Sequence, residues 1–163
     1  MPMFDWFADI RTGLRTLPWC RRGSTGVEMA LIFPVFLLTF SGLLELGRAF
    51  EQAHAVEKGL RSGVLYLARC DDPEATNSQA VARNLVMTGQ ADGTGAFLAP
   101  GWSENGASVA IAVSAFMVDG APTPVIQIDA EVPFLSLVPG LANAFGVSGY
   151  TIRMSHQQAY VGS

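Results

Sequence analysis

The chain has 163 residues, of which 50% are hydrophobic and only 15% are charged, and its net charge is −4. The charged share lies below the roughly 25% of an average soluble domain. A negative chain with no Lys/Arg cluster in its C-terminal two-thirds offers no basic surface for nucleic acid. The hydrophobic content excludes an extensively disordered chain, and the length suits one modest domain plus an anchor.

The first element in the chain is a long apolar run. Residues 26–46 carry charges only at Glu28 and Glu45, near the two ends, where both carboxylates can reach an interface. About 20 apolar residues in a helix cross the ~30 Å of hydrocarbon in a bilayer. We therefore predict a transmembrane helix over residues 24–46.

Arginines before the run predict its orientation. Positive residues close to a span stay in the cytoplasm, so residues 1–23 form a cytoplasmic leader and residues 47–163 an exported domain. A cleaved signal peptide would instead need a small-x-small site after the run, and residues 39–42 match that pattern poorly. The arginines are Arg11, Arg15, Arg21 and Arg22.

The junction between leader and run has features of a processing site. Gly23 has no side chain, so a protease can approach its carbonyl closely. Glu28 follows just inside the run, where an acid costs less than the ~2.5–3.5 kcal/mol found at the bilayer centre. Cleavage after Gly23 would create a Ser24 amine able to pair with Glu28 of the same or a neighbouring chain. The alternative is that Glu28 extends to the headgroups, and both interpretations stay open.

The segment from Arg21 to Pro34, followed by Glu45-Leu46-Gly47-Arg48, resembles the TadE-like pseudopilins of tight-adherence (Flp pilus) systems. Their N-terminus typically reads basic-basic-Gly, small residues, Val-Glu-Phe-Ala-Leu, a Pro, a Leu-rich run and Glu-Phe-Gly-Arg. Met29 stands here where Phe or Tyr is usual. The likeness covers residues 21–50 closely and the remainder of the chain more weakly.

The resemblance implies a function and a set of partners. It implies cleavage between Gly23 and Ser24 by a prepilin peptidase, with Arg21, Arg22 and Glu28 serving recognition or assembly. It further implies a single-pass protein of the bacterial inner membrane, with its domain in the periplasm. The expected partners are other pilins, pseudopilins and the pilus assembly machinery, and no cofactor is expected.

Pro34 lies inside the apolar run and lacks the N–H that a helix needs. We predict a kink there, relieved by neighbouring groups in the membrane. A tolerated kink without a role is the alternative to a functional one.

Past the membrane, the helix is predicted to continue to about residue 69 and to present an apolar stripe toward a sheet. Glu57 interrupts this stripe and is predicted to pair with Arg61. A second helix is expected over 73–88, capped by Asp72 and ended by Gly89. The stripe residues are Leu46, Phe50, Ala53, Leu60, Val64 and Leu67. The inward residues of the second helix are Ala80, Val81, Leu85 and Val86.

Three strands are predicted over 107–118, 124–132 and 148–160, the last two from alternation of apolar and polar residues. An antiparallel sheet with one face on the helices follows. The fold class is therefore α+β and pilin-like: a long N-terminal helix, transmembrane in its first half, on a small sheet with one extra helix. The apolar stretch 132–140 is interpreted as a loop covering the sheet, a subunit contact, or core filler.

No residue pattern points to catalysis, and we expect a protein that is not an enzyme. His54 and His156 belong to no metal-binding motif, so no metal site is predicted. Cys20 and Cys70 would lie on opposite sides of the membrane, and Cys70 is expected to be buried or to pair with another chain. A single-span periplasmic binding or sensing module is the alternative function, and an anchored hydrolase ranks third.

Overall fold

The computed structural model describes residues 24–118, 120–144 and 149–162 and confirms the α+β fold. It contains helix α1 (Ser24–Leu67), helix α2 (Thr76–Thr88), a 3-10 turn (Pro100–Ser103), strands β1 (Ser108–Val118) and β2 (Ala121–Pro133), helix α3 (Pro139–Ala144) and strand β3 (Thr151–Ala159). The chain divides into two compact units, Met1–Gly42 and Leu43–Ser163. Helix α3 is an addition, since only one extra helix was predicted.

The first unit contributes the apolar part of α1. Every residue from 25 to 40 is exposed. The helix runs through Pro34, whose missing N–H leaves the Ala30 carbonyl without its usual helical donor. Near that point Thr39 Oγ1 donates to the Val35 carbonyl at 2.9 Å. The kink at Pro34 stays a prediction.

The second unit is built on a three-stranded antiparallel sheet in the order β1-β2-β3. Ile128 is at its centre, opposite Ile111 of β1 and His156 of β3. On β2, alternate residues are buried toward the helices, and the residues between them face away, as the alternation predicted. The buried set is Ile126, Ile128, Ala130 and Val132.

The core forms between this sheet face and the second half of α1, but the predicted stripe was partly wrong. Leu60, Val64 and Leu67 are buried, whereas Leu46 and Phe50 remain 53% and 58% exposed. The 3.6-residue period explains the error, because the face that holds Leu60 and Val64 continues backward through residues 56 and 52. The missed core residues are Gln52 and Val56 of α1 and Ala68, which directly follows the helix.

Glycines of α1 let α2 approach closely. A Cβ on Gly63 would lie 2.6 Å from Val86 Cγ2, and one on Gly59 would overlap the Val86 carbonyl oxygen. Of the four inward residues predicted for α2, Val86 is fully buried, Val81 and Leu85 are half-buried and Ala80 is exposed. Ala82 and Thr88 are the buried residues of α2 that the prediction missed.

The ends of α2 follow local chemistry. Asp72 Oδ1 accepts the N–H groups of Glu74 and Ala75, which forms a turn before the helix rather than a cap on it. The helix therefore begins at Thr76, later than the predicted residue 73. Gly89 ends it in the left-handed region at φ 74°, as expected from its lack of a Cβ.

Candidate functional site

The residues of the predicted cleavage site lie at the boundary of the described chain. Arg21, Arg22 and Gly23 fall outside the described residues, and Ser24 is the first residue of α1. Glu28 lies one turn further on, in the exposed part of the helix. Their roles in cleavage and assembly stay predictions.

A second cluster forms where the apolar run ends, and three polar residues of α1 contribute to it. Glu45, Arg48 and Gln52 share one face of the helix because they are three and four residues apart. We call them the clamp residues. They contact residues 134–138, the junction loop, which leaves β2 directly after Pro133.

Glu45 holds the far end of the junction loop. Its Oε1 atom accepts the Ser136 hydroxyl at 2.8 Å and the Val138 N–H at 2.7 Å. The positive charge of Arg48, one turn along, also acts on this carboxylate. An acid at the end of an apolar run is thus hydrogen-bonded by its own chain, which lowers the cost of placing it near hydrocarbon.

Arg48 and Gln52 hold the near end of the loop at Leu135. The Leu135 carbonyl accepts Arg48 Nε at 3.2 Å and Gln52 Nε2 at 3.0 Å. The Leu135 N–H donates in return to Gln52 Oε1 at 3.3 Å. Gln52 is only 3% exposed. Its two bonds to Leu135 satisfy both the NH₂ group and the oxygen of this buried amide.

The junction loop is also tied to the sheet. The Phe134 N–H donates to the Tyr150 carbonyl at 2.8 Å, just before β3 begins. At the opposite end of the sheet, Tyr160 Oη donates to the Cys70 carbonyl at 2.9 Å and the Val161 N–H to the Ala68 carbonyl at 3.0 Å. Hydrogen bonds therefore join α1, and the residues directly after it, to segments at both ends of the sheet.

The apolar stretch 132–140 thus has a specific structure. Its residues 134–138 run over the clamp residues of α1, and α3 follows at Pro139. The sequence interpretation of a loop covering the sheet differs from this arrangement, because the hydrogen bonds of residues 135–138 are to α1. A subunit contact stays a prediction. The motif Glu45-Leu46-Gly47-Arg48 pointed to two of the clamp residues, but the sequence contained no signal for Gln52 or for the shared partner Leu135.

The remaining candidate residues do not assemble into a site. Cys70 is a half-buried free thiol whose Sγ contacts the Leu67 carbonyl at 3.3 Å. His54 is exposed and lies 3.7 Å from Glu57, which pairs as predicted with Arg61 at 3.5 Å. Within residues 24–118, 120–144 and 149–162, no group of three His, Cys, Asp or Glu side chains is placed to hold a metal ion.

One shallow groove borders the clamp. It has a volume of about 130 Å³ and is lined by Arg48, Glu51, Gln52, Ala55, Leu98 and Pro100. Pockets for small molecules usually enclose ~300–1,000 Å³. This groove is therefore small for a metabolite-sized ligand.

These features define a class of protein: an α+β domain carried on a helix that is long and apolar enough, by length and composition, to span a membrane. Within that class, the family model described as TadE-like protein matches residues 23–65. The match confirms the resemblance expected from the sequence, and the matched segment contains Gly23, Glu28 and all three clamp residues. No curated protein and no solved structure matches the chain.

Proposed function

We propose that the protein is a pseudopilin or minor pilin that takes part in assembling a tight-adherence (Flp) pilus or a related secretion apparatus. The TadE-like match over residues 23–65 carries this proposal, because it covers the junction, the apolar helix and the clamp residues together. The role is structural rather than enzymatic. The second half of α1 packs on the sheet and contributes to the core of the domain.

The proposed topology places the leader in the cytoplasm, α1 across the inner membrane and the sheet domain in the periplasm. The arginines of residues 1–23 support this orientation, since positive residues next to a span stay inside. Prepilin peptidase cleaves the Gly23–Ser24 bond on the cytoplasmic side of the membrane. Other pilins and pseudopilins then contact the exposed apolar face of α1.

A membrane-anchored binding or sensing module is the competing function. It requires a ligand pocket in the exported domain and no processing at residue 23. The groove beside Gln52 gives it little support because of its small volume. Processing at the junction therefore separates the two functions.

We expect the mature chain to begin at Ser24. N-terminal sequencing of protein extracted from membranes of cells with an active prepilin peptidase measures this directly. Gly23→Val should abolish processing, because a branched side chain blocks close approach to the scissile carbonyl. Gly26→Ala is the matched control, since a Cβ there meets nothing within 4 Å. An intact Met1 in such cells would favour the binding module instead.

We expect Glu28→Ala to leave membrane insertion intact and to impair assembly. Removing the acid makes the apolar run easier to insert, while a pairing partner for the Ser24 amine is lost. Co-purification with the other pilus subunits measures assembly, and carbonate extraction measures insertion. Glu51→Ala, at an exposed acid of the same helix, serves as the control. Normal piliation in the Glu28 variant would refute the pairing role.

A further inference from the structure

The segment that contains the junction loop carries no charge over an unusual length. Residues 132–152 include no Asp, Glu, Lys, Arg or His. The stretch is bounded by Glu131 and Arg153, which are opposite each other on β2 and β3 and pair at 3.1 Å. An uncharged stretch of this length does not resemble the sequence of an ordinary solvated surface.

The clamp places this uncharged segment beside the end of the apolar run. Ser136 and Val138 are within hydrogen-bond distance of Glu45, which follows the last residues of the run. The predicted span ends at residue 46, one residue after Glu45. The loop is therefore bonded to the residue next to the predicted end of the span.

The side chains that the loop exposes are apolar or aromatic. Leu137 is 55% and Val138 37% exposed, and Tyr150, whose carbonyl accepts the Phe134 N–H, is 68% exposed. Leu43 and Leu46, which lie close to Glu45 in the sequence of α1, are also more than half exposed. Tyrosine is one of the residues enriched at membrane–water interfaces.

We propose that the junction loop and the neighbouring Tyr150 form a second membrane contact, in which Leu137, Val138 and Tyr150 enter the interface of the periplasmic leaflet. This inference rests on the proposed membrane span of α1. Lipid is the occupant that we favour, because the loop is bonded to Glu45 at the predicted end of the span and exposes uncharged, apolar side chains. The Val138 N–H is already bonded to Glu45, so contact with lipid leaves that donor paired.

This contact would also fix how the domain stands on the membrane. A single helix leaves a domain free to tilt, whereas a helix and an adjacent loop give two points of contact. Five hydrogen bonds join the loop to the clamp residues of α1. A subunit held in one orientation presents the same surfaces to every neighbour.

A depth measurement on the full chain tests the proposal. A single cysteine is introduced by Leu137→Cys in a chain carrying Cys20→Ser and Cys70→Ser, and it is labelled with the fluorophore NBD. The protein is reconstituted at high dilution into phosphatidylethanolamine/phosphatidylglycerol vesicles, with or without lipids bearing a shallow nitroxide. Phe116→Cys is the matched control, and Phe36→Cys reports the span itself.

Phe116 suits the control because it is apolar and 67% exposed, like Leu137. It pairs with Thr123 of β2, roughly 30 Å along the strand from Pro133 and the junction loop. We expect the label at residue 137 to emit at shorter wavelength than the label at 116 and to lose most of its intensity to the nitroxide lipid. The label at 116 should instead be quenched by aqueous iodide.

Other outcomes separate the two proposals. If the label at 36 is quenched by lipid while the label at 137 behaves like that at 116, the loop contact is refuted and the anchored pseudopilin stands. If the label at 36 escapes lipid quenching, the span itself fails. The label at residue 137 could also be protected from both the nitroxide lipid and iodide. If that protection disappears on further dilution, the partner is a second copy of the chain, and the lipid contact is refuted.

Discussion

Gly59→Ala is expected to destabilise the exported domain by about 3 kcal/mol, although alanine is the better helix former. The added Cβ would overlap the Val86 carbonyl oxygen and lie 3.2 Å from Leu98 Cδ1. A backbone carbonyl inside α2 moves only if the whole helix moves. The substitution therefore separates α1 from α2 and loosens the core around Val86.

Thermal unfolding of the full chain in detergent micelles measures this effect. Near-ultraviolet circular dichroism is the suitable signal, because the apolar part of α1 stays helical in micelles and masks changes in the far ultraviolet. A loss of about 3 kcal/mol corresponds to a fall in Tm of roughly 10 °C. A variant with unchanged Tm would show that the two helices are not in close contact.

Gly47→Ala is the matched control for Gly59→Ala. It makes the same chemical change in the same helix, at a position where a Cβ meets nothing within 4 Å. Without a clash, the propensity of alanine should raise stability by up to ~1 kcal/mol. The opposite signs expected at Gly47 and Gly59 separate close packing from helix propensity.

Glu45→Ala is expected to release the junction loop without unfolding the sheet. It removes the acceptor of the Ser136 hydroxyl and of the Val138 N–H. Hydrogen bonds to a charged group contribute about 1.5–3 kcal/mol each, and partial exposure of Glu45 reduces the total to about 2 kcal/mol. The Val138 amide should then exchange its hydrogen ~30-fold faster.

Hydrogen exchange read by mass spectrometry on peptides of the loop and of β2 tests this prediction. Exchange should rise in the loop and stay unchanged in β2, whose centre at Ile128 is fully buried. Glu45→Gln retains an acceptor oxygen without the charge, so its effect should be intermediate. Glu51→Ala removes an exposed acid of the same helix and should change nothing. Equal exchange in all three variants would mean that Glu45 does not hold the loop.

Local patterns in the sequence were sufficient to predict the main helices and strands and the TadE-like resemblance. The apolar run, the residues flanking Gly23 and the alternation of Ile126 and Ile128 with Gln127 are each contained in a few neighbouring residues. Periodicity identifies such elements because it reflects helix and strand geometry directly. The boundaries were less accurate where side chains rearranged the chain locally, as at Asp72.

The phase of the helix face could not be read from periodicity alone. Both the predicted stripe through Phe50 and the observed face through Val56 contain apolar residues at helical spacing. The sheet decides between them, because only the face that contacts Ile126 and Ile128 is removed from water. Gln52 is buried on that face, since Leu135 satisfies its amide.

The TadE-like motif, the apolar helix and the α+β fold could all be inferred from local residue patterns. The contacts of Glu45, Arg48 and Gln52 could not, because their partners in the junction loop are 83 to 93 residues away along the chain. Hydrogen bonds between such distant residues leave no periodic pattern in the sequence. They form because folding of β2 against α1 brings Leu135 and Val138 to the end of the apolar run.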